Sequence, residues 1–245
     1  MDLSDSNTTR KVRFLDWGNI PYSQAWERQT EIQQGLISLK RANRDLTEQE
    51  RKEAIHSLIF CSHPHVYTLG KSGSEDNLLL AESEREKHQV EYFKINRGGD
   101  ITYHGPGQIV GYPIFDLDYF FTDVHKYVRM IEEAIIRLLA SYGIEAGREE
   151  GFTGVWLSPK DGKSKRKICA IGVHLSRWVT LHGFALNVNT NLDFFDHIIP
   201  CGIQDPDKEV TSMSKELGRD LDMEEVKSKL KQIIADLFEF KYIED

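Results

Sequence analysis

The sequence contains few cysteines and no long apolar segment. Cys61, Cys169 and Cys201 are the three cysteines of a 245-residue chain, an odd number at wide spacing that predicts a reduced protein rather than a disulfide scaffold. No apolar run approaches the length of about 18 residues that a membrane-spanning helix needs. The first residues lack a basic segment followed by an apolar one, so we expect no secretory signal, no contact with a membrane and a cytoplasmic location.

An excess of basic residues is also missing. The chain carries 31 Lys and Arg against 39 Asp and Glu, a formal net charge of −8. Proteins that bind nucleic acids do so largely by neutralising phosphates with Lys and Arg, so we expect no nucleic acid partner. Hydrophobic residues make up 40% and charged residues 29% of the chain, which excludes a collagen, a coiled coil or a disordered protein.

Clear ligand sets for a metal or a nucleotide are absent as well. Zinc sites are built from close pairs of Cys and His, and His63-Pro64-His65 has no third ligand at a recognisable spacing. The Gly-Lys-Ser triplets at 70–72 and 162–164 lack the earlier glycine of a phosphate-binding Walker loop. We therefore predict no metal and no other cofactor.

The apolar pattern predicts one α+β domain. Residues 1–12 are expected to be a disordered tail and 13–245 a single domain, with 40–56 as a charged, solvated insertion. Helical spacing predicts helices over 22–39, 123–142 and 221–240. Short apolar runs predict strands at 58–61, 66–69, 90–96, 155–157, 167–174, 178–181 and 184–188. Helices packed on a mixed, largely antiparallel sheet are the simplest arrangement of these elements.

The most unusual segment is rich in glycine. It reads Arg97-Gly98-Gly99-Asp100-Ile101-Thr102-Tyr103-His104-Gly105-Pro106-Gly107-Gln108. Glycines allow positive φ, and the free N–H groups of such a loop can bind an anion or a developing oxyanion. A plain loop between two strands remains the alternative, but an Arg, a His and a Gln among four glycines are more than a turn requires.

The three cysteines have different sequence surroundings. Cys61 and Cys169 lie inside apolar strands, where cysteine behaves as a small buried hydrophobe. Cys201 lies between Pro200 and Gly202, at a turn where a thiol can face a cavity. A thiol becomes a nucleophile when a cation or a histidine base stabilises its thiolate. The candidate cations are Arg97, Lys165, Lys167 and Arg177, and the candidate bases are His104, His174 and His182.

Spacing alone does not choose among these candidates. Lys167 opens a predicted strand, which places its side chain at the edge of a buried sheet. Lys163, Lys165 and Arg166 belong to the predicted loop 158–166, where we expect them to be only solvated. The basic loop 160–166 could also attract an acidic partner protein.

Several of these segments together resemble the lipoyl(octanoyl) transferases, enzymes of lipoate biosynthesis in the biotin/lipoate protein ligase superfamily. The glycine-rich segment 97–108 carries the strongest match, and the resemblance covers roughly residues 14–220. The other matching blocks, in the same order along the chain, are His63-Pro64 with 66–70, then 167–172, then 181–187, then Pro200-Cys201-Gly202. The resemblance implies a biotin/lipoate protein ligase-like fold for a catalytic acyltransferase domain.

It also implies a mechanism with a covalent intermediate. Cys201 would take an octanoyl group from its thioester on acyl carrier protein, and a lysine of a lipoyl domain would then accept it as an amide. Lys167 would be the partner of Cys201, because its cation lowers a thiol pKa and its neutral amine can accept a proton. The implied acceptors are lipoyl domains of 2-oxoacid dehydrogenase complexes and the H protein of glycine cleavage.

The resemblance further implies which residues bind the acyl group. They lie in three segments whose backbone N–H groups would donate to the thioester oxygen. These residues are Arg97, Gly98, Gly99, Asp100, Ile101, Thr102, Tyr103, His104, Ala170, Ile171, Gly172, Gly183, Phe184 and Ala185. His104 and Thr102 are expected to order the wall of the acyl cavity without transferring protons.

Two other functions stay open. An ATP-dependent lipoate–protein ligase of the same superfamily needs no cysteine and usually carries a third glycine and an acidic residue after the histidine. Here Gly-Pro-Gly-Gln follows His104, and Cys201 is present. A module that binds lipoyl domains without modifying them would need neither Lys167 nor Cys201.

Overall fold

The computed structural model describes residues 10–159, 164–199 and 208–243. Cys201 and the basic residues Lys160 and Lys163 lie outside the described residues. The strands are β1 Lys11–Asn19, β2 Ile55–Ser62, β3 Val66–Leu69, β4 Glu91–Lys94, β5 Ile101–His104, β6 Gln108–Ile114, β7 Gly147–Glu149, β8 Phe152–Leu157, β9 Lys165–Ser176, β10 Val179–Asn187, β11 Lys208–Val210 and β12 Lys241–Ile243. The helices are α1 Tyr22–Ala42, α2 Glu82–Lys87, α3 Val124–Ser141, α4 Met213–Leu217 and α5 Met223–Phe238.

Two sheets form the framework. The larger sheet has the strand order β12-β1-β2-β6-β10-β9-β8-β7, and β11 pairs with the first residues of β9. Its pairs from β2 through β6, β10, β9, β8 to β7 are antiparallel, whereas β1 pairs in parallel with β2 and with β12. The smaller sheet has the order β4-β3-β5. The predicted α+β fold with a mixed, largely antiparallel sheet is confirmed.

Helices cover both faces of the larger sheet. Successive residues of β2 point to opposite faces, so Leu58 and Phe60 join the core beneath α3 and α5, whereas Ile59 and Cys61 join the core beneath α1. None of the helices in the described ranges is long and apolar enough to cross a membrane.

Local sequence signals explain where the two long helices begin. The side chain of Asp123 accepts a hydrogen bond from the backbone N–H of Lys126 at the start of α3, and Asp222 caps α5 in the same way. Gly143, with φ +75°, follows α3 in the left-handed conformation that favours glycine. The apolar stripes of both helices are buried in one core.

Three boundaries differ from the sequence expectation. The tail predicted for 1–12 is too long, because β1 begins at Lys11 and Val12 is fully buried against the sheet. The two strands predicted for 178–181 and 184–188 are one strand, β10, in which His182 has a positive φ of 61°. The charged stretch 40–56 contains the end of α1, an exposed connection and the start of β2.

The expectation that Arg166 is only solvated is wrong. Arg166 lies in β9 and is 4% exposed. Its Nε donates to Oε1 of Glu216 in α4 at 2.8 Å, and its Nη2 donates to Oε2 at 3.2 Å. A buried guanidinium needs such a carboxylate partner, and Glu216 lies 50 residues away in the sequence, where no local pattern reveals it. Lys165 pairs with Glu149 of β7.

Candidate active site

A cavity of about 490 Å³ is lined by residues of both sheets. All three segments predicted to bind an acyl group contribute to its wall, and so does Lys167. The lining residues predicted from the sequence are Arg97, Gly98, Gly99, Asp100, Ile101, Thr102, Tyr103, His104, Lys167, Ala170, Ile171, Gly172, Gly183, Phe184 and Ala185. The structure therefore brings these segments together around one space.

The glycine-rich loop is pinned against β9. The backbone N–H of Gly98 donates to the carbonyl oxygen of Val173 at 2.9 Å. A Cβ at Gly172 would lie 2.8 Å from the carbonyl oxygen of Gly98 and 3.0 Å from Cδ of Arg97, so the loop can approach β9 this closely because residue 172 is glycine. This contact closes one side of the cavity.

Arg97 and Asp100 tie this loop to neighbouring elements. Nη2 of Arg97 donates to the carbonyl oxygen of Thr68 at 2.6 Å and to its hydroxyl at 3.0 Å. The carboxylate of Asp100 accepts hydrogen bonds from Nδ2 of Asn77 and from the backbone N–H of Ile101, both at 2.6 Å. These bonds hold two charged side chains in the buried wall of the cavity.

His104 is an uncharged part of the wall. Burial, with the nearby His63 and Arg97, lowers its pKa well below the ordinary value. Its ring stacks on Tyr22 with 6.0 Å between ring centroids, and Nδ1 lies 3.3 Å from Oε1 of Gln108. This environment favours the predicted ordering role of His104 over proton transfer.

His63 contacts the cavity wall through its hydrogen bond to Tyr112. Its Nδ1 lies 2.7 Å from the carbonyl oxygen of Ile20, which can only accept, so Nδ1 carries the proton. Nε2 then accepts a hydrogen bond from the hydroxyl of Tyr112 at 2.7 Å. Burial lowers the pKa of His63 to about 4. The network fixes Tyr112, which lines the cavity.

His182 lines the cavity from the positive-φ position in β10. Its Nε2 lies 2.8 Å from Oδ1 of Asn96. Burial, with Arg97 and His174 nearby, lowers the pKa of His182 to about 3. A non-glycine residue at positive φ is uncommon and tends to occur where a side chain must be aimed, and here the departure directs an uncharged imidazole to the cavity wall.

Lys167 is the third residue of β9, and its neighbours fix its position in the sheet. It lies opposite Trp156 of β8 on one side and Val210 of β11 on the other. The backbone N–H of Thr211 donates to its carbonyl oxygen at 2.9 Å. Its Nζ lies 4.6 Å from the centroid of the Trp156 ring. Lys167 and Val210 both line the cavity.

The described residues on either side of segment 200–207 contact elements that border the cavity. Before it, the backbone N–H of Ile199 donates to the carbonyl oxygen of Asn77 at 2.8 Å, and the side chain of Asn77 bonds to Asp100 of the wall. After it, Lys208 pairs with Lys165 at the start of β11. Residues 200–207 lie outside the described residues.

The other two cysteines are structural. Cys61 and Cys169 are free and buried, as predicted. Burial raises the pKa of both thiols, so neither favours the thiolate form that a nucleophile needs.

The remaining cationic candidates are separated in space. Arg97 lines the cavity, Lys165 is paired with Glu149, and Arg177 lies in the turn between β9 and β10. Within the described ranges, no group of three or more His, Cys, Asp or Glu is arranged to hold a metal ion.

The sequence did not predict several wall residues, most of which come from elements remote from the matching blocks. These residues include Tyr22 of α1, Tyr112 of β6, Val128 of α3, Phe152 of β8 and Phe195 of a short 3₁₀ helix. Tyr112 lies in the apolar run directly after the glycine-rich segment, which is the one local signal for it. The others face the cavity only through tertiary packing.

Comparison with known families gives a match over most of the chain. Residues 37–235 match the family model described as the lipoyl protein ligase A/B catalytic domain. An octanoyltransferase of Cytophaga hutchinsonii is 55% identical over 233 residues, which cover 95% of this chain and 95% of that protein. An octanoyltransferase of Flavobacterium johnsoniae is 54% identical over 235 residues, which cover 96% of this chain and 99% of that protein.

Among solved structures, the chain is similar to a bi-partite lipoate protein ligase from Thermoplasma acidophilum. The TM-score is 0.67 with 17% sequence identity, and the match covers 96% of this chain and 86% of that one. At this identity the likeness concerns the fold, and the predicted lipoate protein ligase-like fold is confirmed.

Proposed function

The chain belongs to the lipoyl protein ligase A/B catalytic domain family, as an octanoyltransferase, and from this premise we propose that it moves octanoyl from acyl carrier protein to a lysine of lipoyl domains through Cys201 and Lys167. The observation that carries the proposal is the position of Lys167. Its β9 backbone sets it in the wall of the same cavity that the three predicted acyl-binding segments line.

The cavity suits a medium-length acyl chain. Its volume of about 490 Å³ lies within the range of small-molecule sites. Apolar side chains from several elements line it, among them Val110, Val128, Ile171, Phe184 and Phe195. Burying each methylene of an acyl chain against such side chains contributes about 0.8 kcal/mol.

In the first step Cys201 attacks the thioester that arrives on the carrier. The thiolate sulfur forms a bond to the acyl carbonyl carbon, the bond to the carrier sulfur breaks, and the carrier leaves as a thiol after taking a proton. Lys167 stabilises the Cys201 thiolate as a cation and supplies the proton that the leaving group takes. The product is an octanoyl thioester on Cys201.

In the second step the ε-amine of the acceptor lysine attacks this thioester. An amide bond forms, the bond to the Cys201 sulfur breaks, and the neutral amine of Lys167 accepts the proton that the nucleophile loses. Splitting the transfer lets two bulky protein substrates use one cavity in turn. Lys167 is again a cation beside a thiolate when the cycle closes.

Backbone N–H groups stabilise the oxygen that becomes negative in both steps. Candidates are N–H groups of Ala170–Gly172, which line the cavity on the edge of β9 beyond its pairing with β8. Gly183–Ala185 also line the cavity, but β10 pairs there with β6 on one side and β9 on the other. N–H groups already fixed in strands need no reorganisation as the charge develops. Arg97 and the rest of segment 97–104 complete the wall of the cavity.

The proposed partners are octanoyl-acyl carrier protein as donor, and lipoyl domains of 2-oxoacid dehydrogenase complexes and the glycine cleavage H protein as acceptors. We place the reaction in the cytoplasm, where reduced cysteines persist. The free state of Cys61 and Cys169 supports this setting.

An ATP-dependent ligase is the alternative that the sequence left open, and the shared fold does not separate it from a transferase. The two functions differ in how the acyl group is activated. We expect purified protein to octanoylate an apo lipoyl domain from octanoyl carrier protein without ATP, measured by intact-mass spectrometry of the lipoyl domain. We also expect no ATP–pyrophosphate exchange with free octanoate. Exchange with octanoate and no transfer from the carrier would instead identify a ligase.

A further inference from the structure

A break in the register between β8 and β9 sets the environment of Lys167. Val155 lies opposite Cys169, but the next residue, Trp156, lies opposite Lys167 rather than Ile168. Ile168 is thus the extra residue of a β-bulge, and Ile168 and Cys169 are both buried in the core beneath α3 and α5. A bulge can redirect a side chain next to an active site, and this one pairs Lys167 with an aromatic residue.

Glycine and a buried carboxylate hold this irregular part of β8. Gly154 has φ +115°, and a Cβ there would lie 2.5 Å from the carbonyl oxygen of Cys169. Its N–H donates to Oε1 of the buried Glu132 of α3 at 3.0 Å. The bulge is therefore anchored from a second element, and the pairing of Trp156 with Lys167 has a fixed backbone.

The contact between these two side chains uses the face of the indole ring. Nζ of Lys167 lies 4.6 Å from the ring centroid, within the range of a cation–π interaction. Trp156 is 6% exposed, and its Nε1 has no hydrogen-bond partner among the described residues. A buried indole N–H usually finds a partner, so hydrogen bonding does not explain a tryptophan at this position.

A second ring continues the arrangement. Phe152 meets Trp156 edge to face, with 5.8 Å between ring centroids and an angle of 64°. Nζ of Lys208 lies 4.7 Å from the centroid of Phe152. Phe152 also lines the cavity. Two neighbouring rings thus each contact an ammonium group, and Phe152 packs against Trp156.

We infer that Trp156 is a positioning residue for the transfer reaction, whose indole face holds Nζ of Lys167 at the cavity wall. The inference rests on the proposed catalytic role of Lys167. Lysine carries its charge on a flexible stem with several rotatable bonds, and small displacements of a reacting group lower rates strongly. A ring face directly opposite in the sheet restricts the ammonium without occupying any of its donors.

The test lowers the negative charge on the face of the Trp156 ring and leaves the shape of the ring nearly unchanged. Site-specific replacement of Trp156 by mono-, di- and trifluorotryptophan removes negative charge from the face in steps. We expect kcat for transfer from octanoyl carrier protein to fall with each added fluorine, by about 2- to 30-fold over the series. KM for the carrier should not change, and Trp156→Leu should lose at least as much kcat as the last member of the series.

A matched control removes a cation–π pair elsewhere. Nζ of Lys229 lies 4.3 Å from the ring centroid of Tyr142, on the surface of α3 and α5, and Tyr142→Leu should leave kcat unchanged. A kcat independent of fluorine number would overturn the inference and reduce Trp156 to a packing residue. Wild-type turnover in Lys167→Ala would instead remove the premise, so failure of the proposed function is distinguishable from failure of the inference.

Discussion

Buried, uncharged histidines are a marked feature of this chain at the scale of single residues. Burial lowers the pKa of His56 and of His63 to about 4 and that of His182 to about 3. Between these values and the ordinary value of 6.5, the unfolded chain binds protons that the folded chain does not. The free energy of unfolding therefore falls as the pH drops from 6.5 towards 4.

His56 allows this effect to be measured away from the cavity. Its Nδ1 accepts a hydrogen bond from the backbone N–H of Asp116 at 3.2 Å, and aromatic rings surround it. Asparagine keeps an acceptor at this place but has no proton to gain. His56→Asn should lose about 2 kcal/mol less stability between pH 7 and pH 5 than the unmodified protein, measured by urea unfolding. His125 is exposed, so His125→Asn serves as the control. If the free energy of unfolding of His56→Asn depends on pH as it does in the unmodified protein, His56 does not contribute this effect.

Substitutions of Lys167 can distinguish an electrostatic role of this residue from a role in proton transfer. Arginine keeps the positive charge and can stabilise a thiolate, but it does not release a proton. Lys167→Arg should therefore leave Cys201 reactive towards iodoacetamide near neutral pH, while turnover falls by about 10²–10⁴-fold. Lys167→Ala should lose both properties. The measurement is the pH dependence of Cys201 alkylation beside the transfer rate of each protein, and full turnover in the arginine variant would leave Lys167 an electrostatic neighbour only.

At the scale of elements, β9 has the central place in the molecule. Its first residues pair with β8 and β11, and its later residues pair with β10. It carries Lys167 and the wall segment Ala170–Gly172 towards the cavity, and the buried Ile168 and Cys169 towards the core. Substitutions that weaken the pairing at either end of β9 should therefore displace the site residues that this strand carries.

The pair between Arg166 and Glu216 ties α4 to β9. Removing one partner leaves a buried charge without its counterpart, so Arg166→Ala should destabilise the protein by about 3–5 kcal/mol. The side chain of the neighbouring Lys165 is 39% exposed in its pair with Glu149. Lys165→Ala should therefore lower the free energy of unfolding by less than about 1 kcal/mol. Urea unfolding of the two variants gives the comparison. Equal and small losses would mean that the Arg166 pair is as solvated as that of Lys165.

Local patterns predicted the long helices, because each buries one regular apolar face, and they predicted β2 and β3 as short buried apolar runs. They did not identify β5 or β6 as strands. They failed where pairing comes from distant residues. The predicted disordered tail includes the start of β1, although Val12 pairs with both β2 and β12. The predicted solvated loop includes Arg166, because its partner Glu216 is remote in the sequence. The bulge at Ile168 leaves no sequence signature, and so the pairing of Trp156 with Lys167 was visible only in the structure.

The same limit applies to the candidate site. Segments 97–104, 170–172 and 183–185 could be named in advance from their resemblance to a family, and they do line one cavity. Tyr22 and Val128 reach that cavity from α1 and α3, whose sequences show only amphipathic helices. Their contribution depends on how the helices dock on the two faces of the larger sheet.

For the molecule as a whole, the proposed reaction requires Cys201 to carry the acyl group covalently. The intact mass of the purified protein should increase by one octanoyl group after exposure to octanoyl carrier protein without a lipoyl domain, and the added mass should disappear when an apo lipoyl domain is supplied. Cys201→Ala should show no adduct and no transfer, while Cys61→Ala and Cys169→Ala should still form the adduct. An adduct that persists in Cys201→Ala, or transfer to lipoyl domains by that variant, would show that Cys201 is not the covalent carrier.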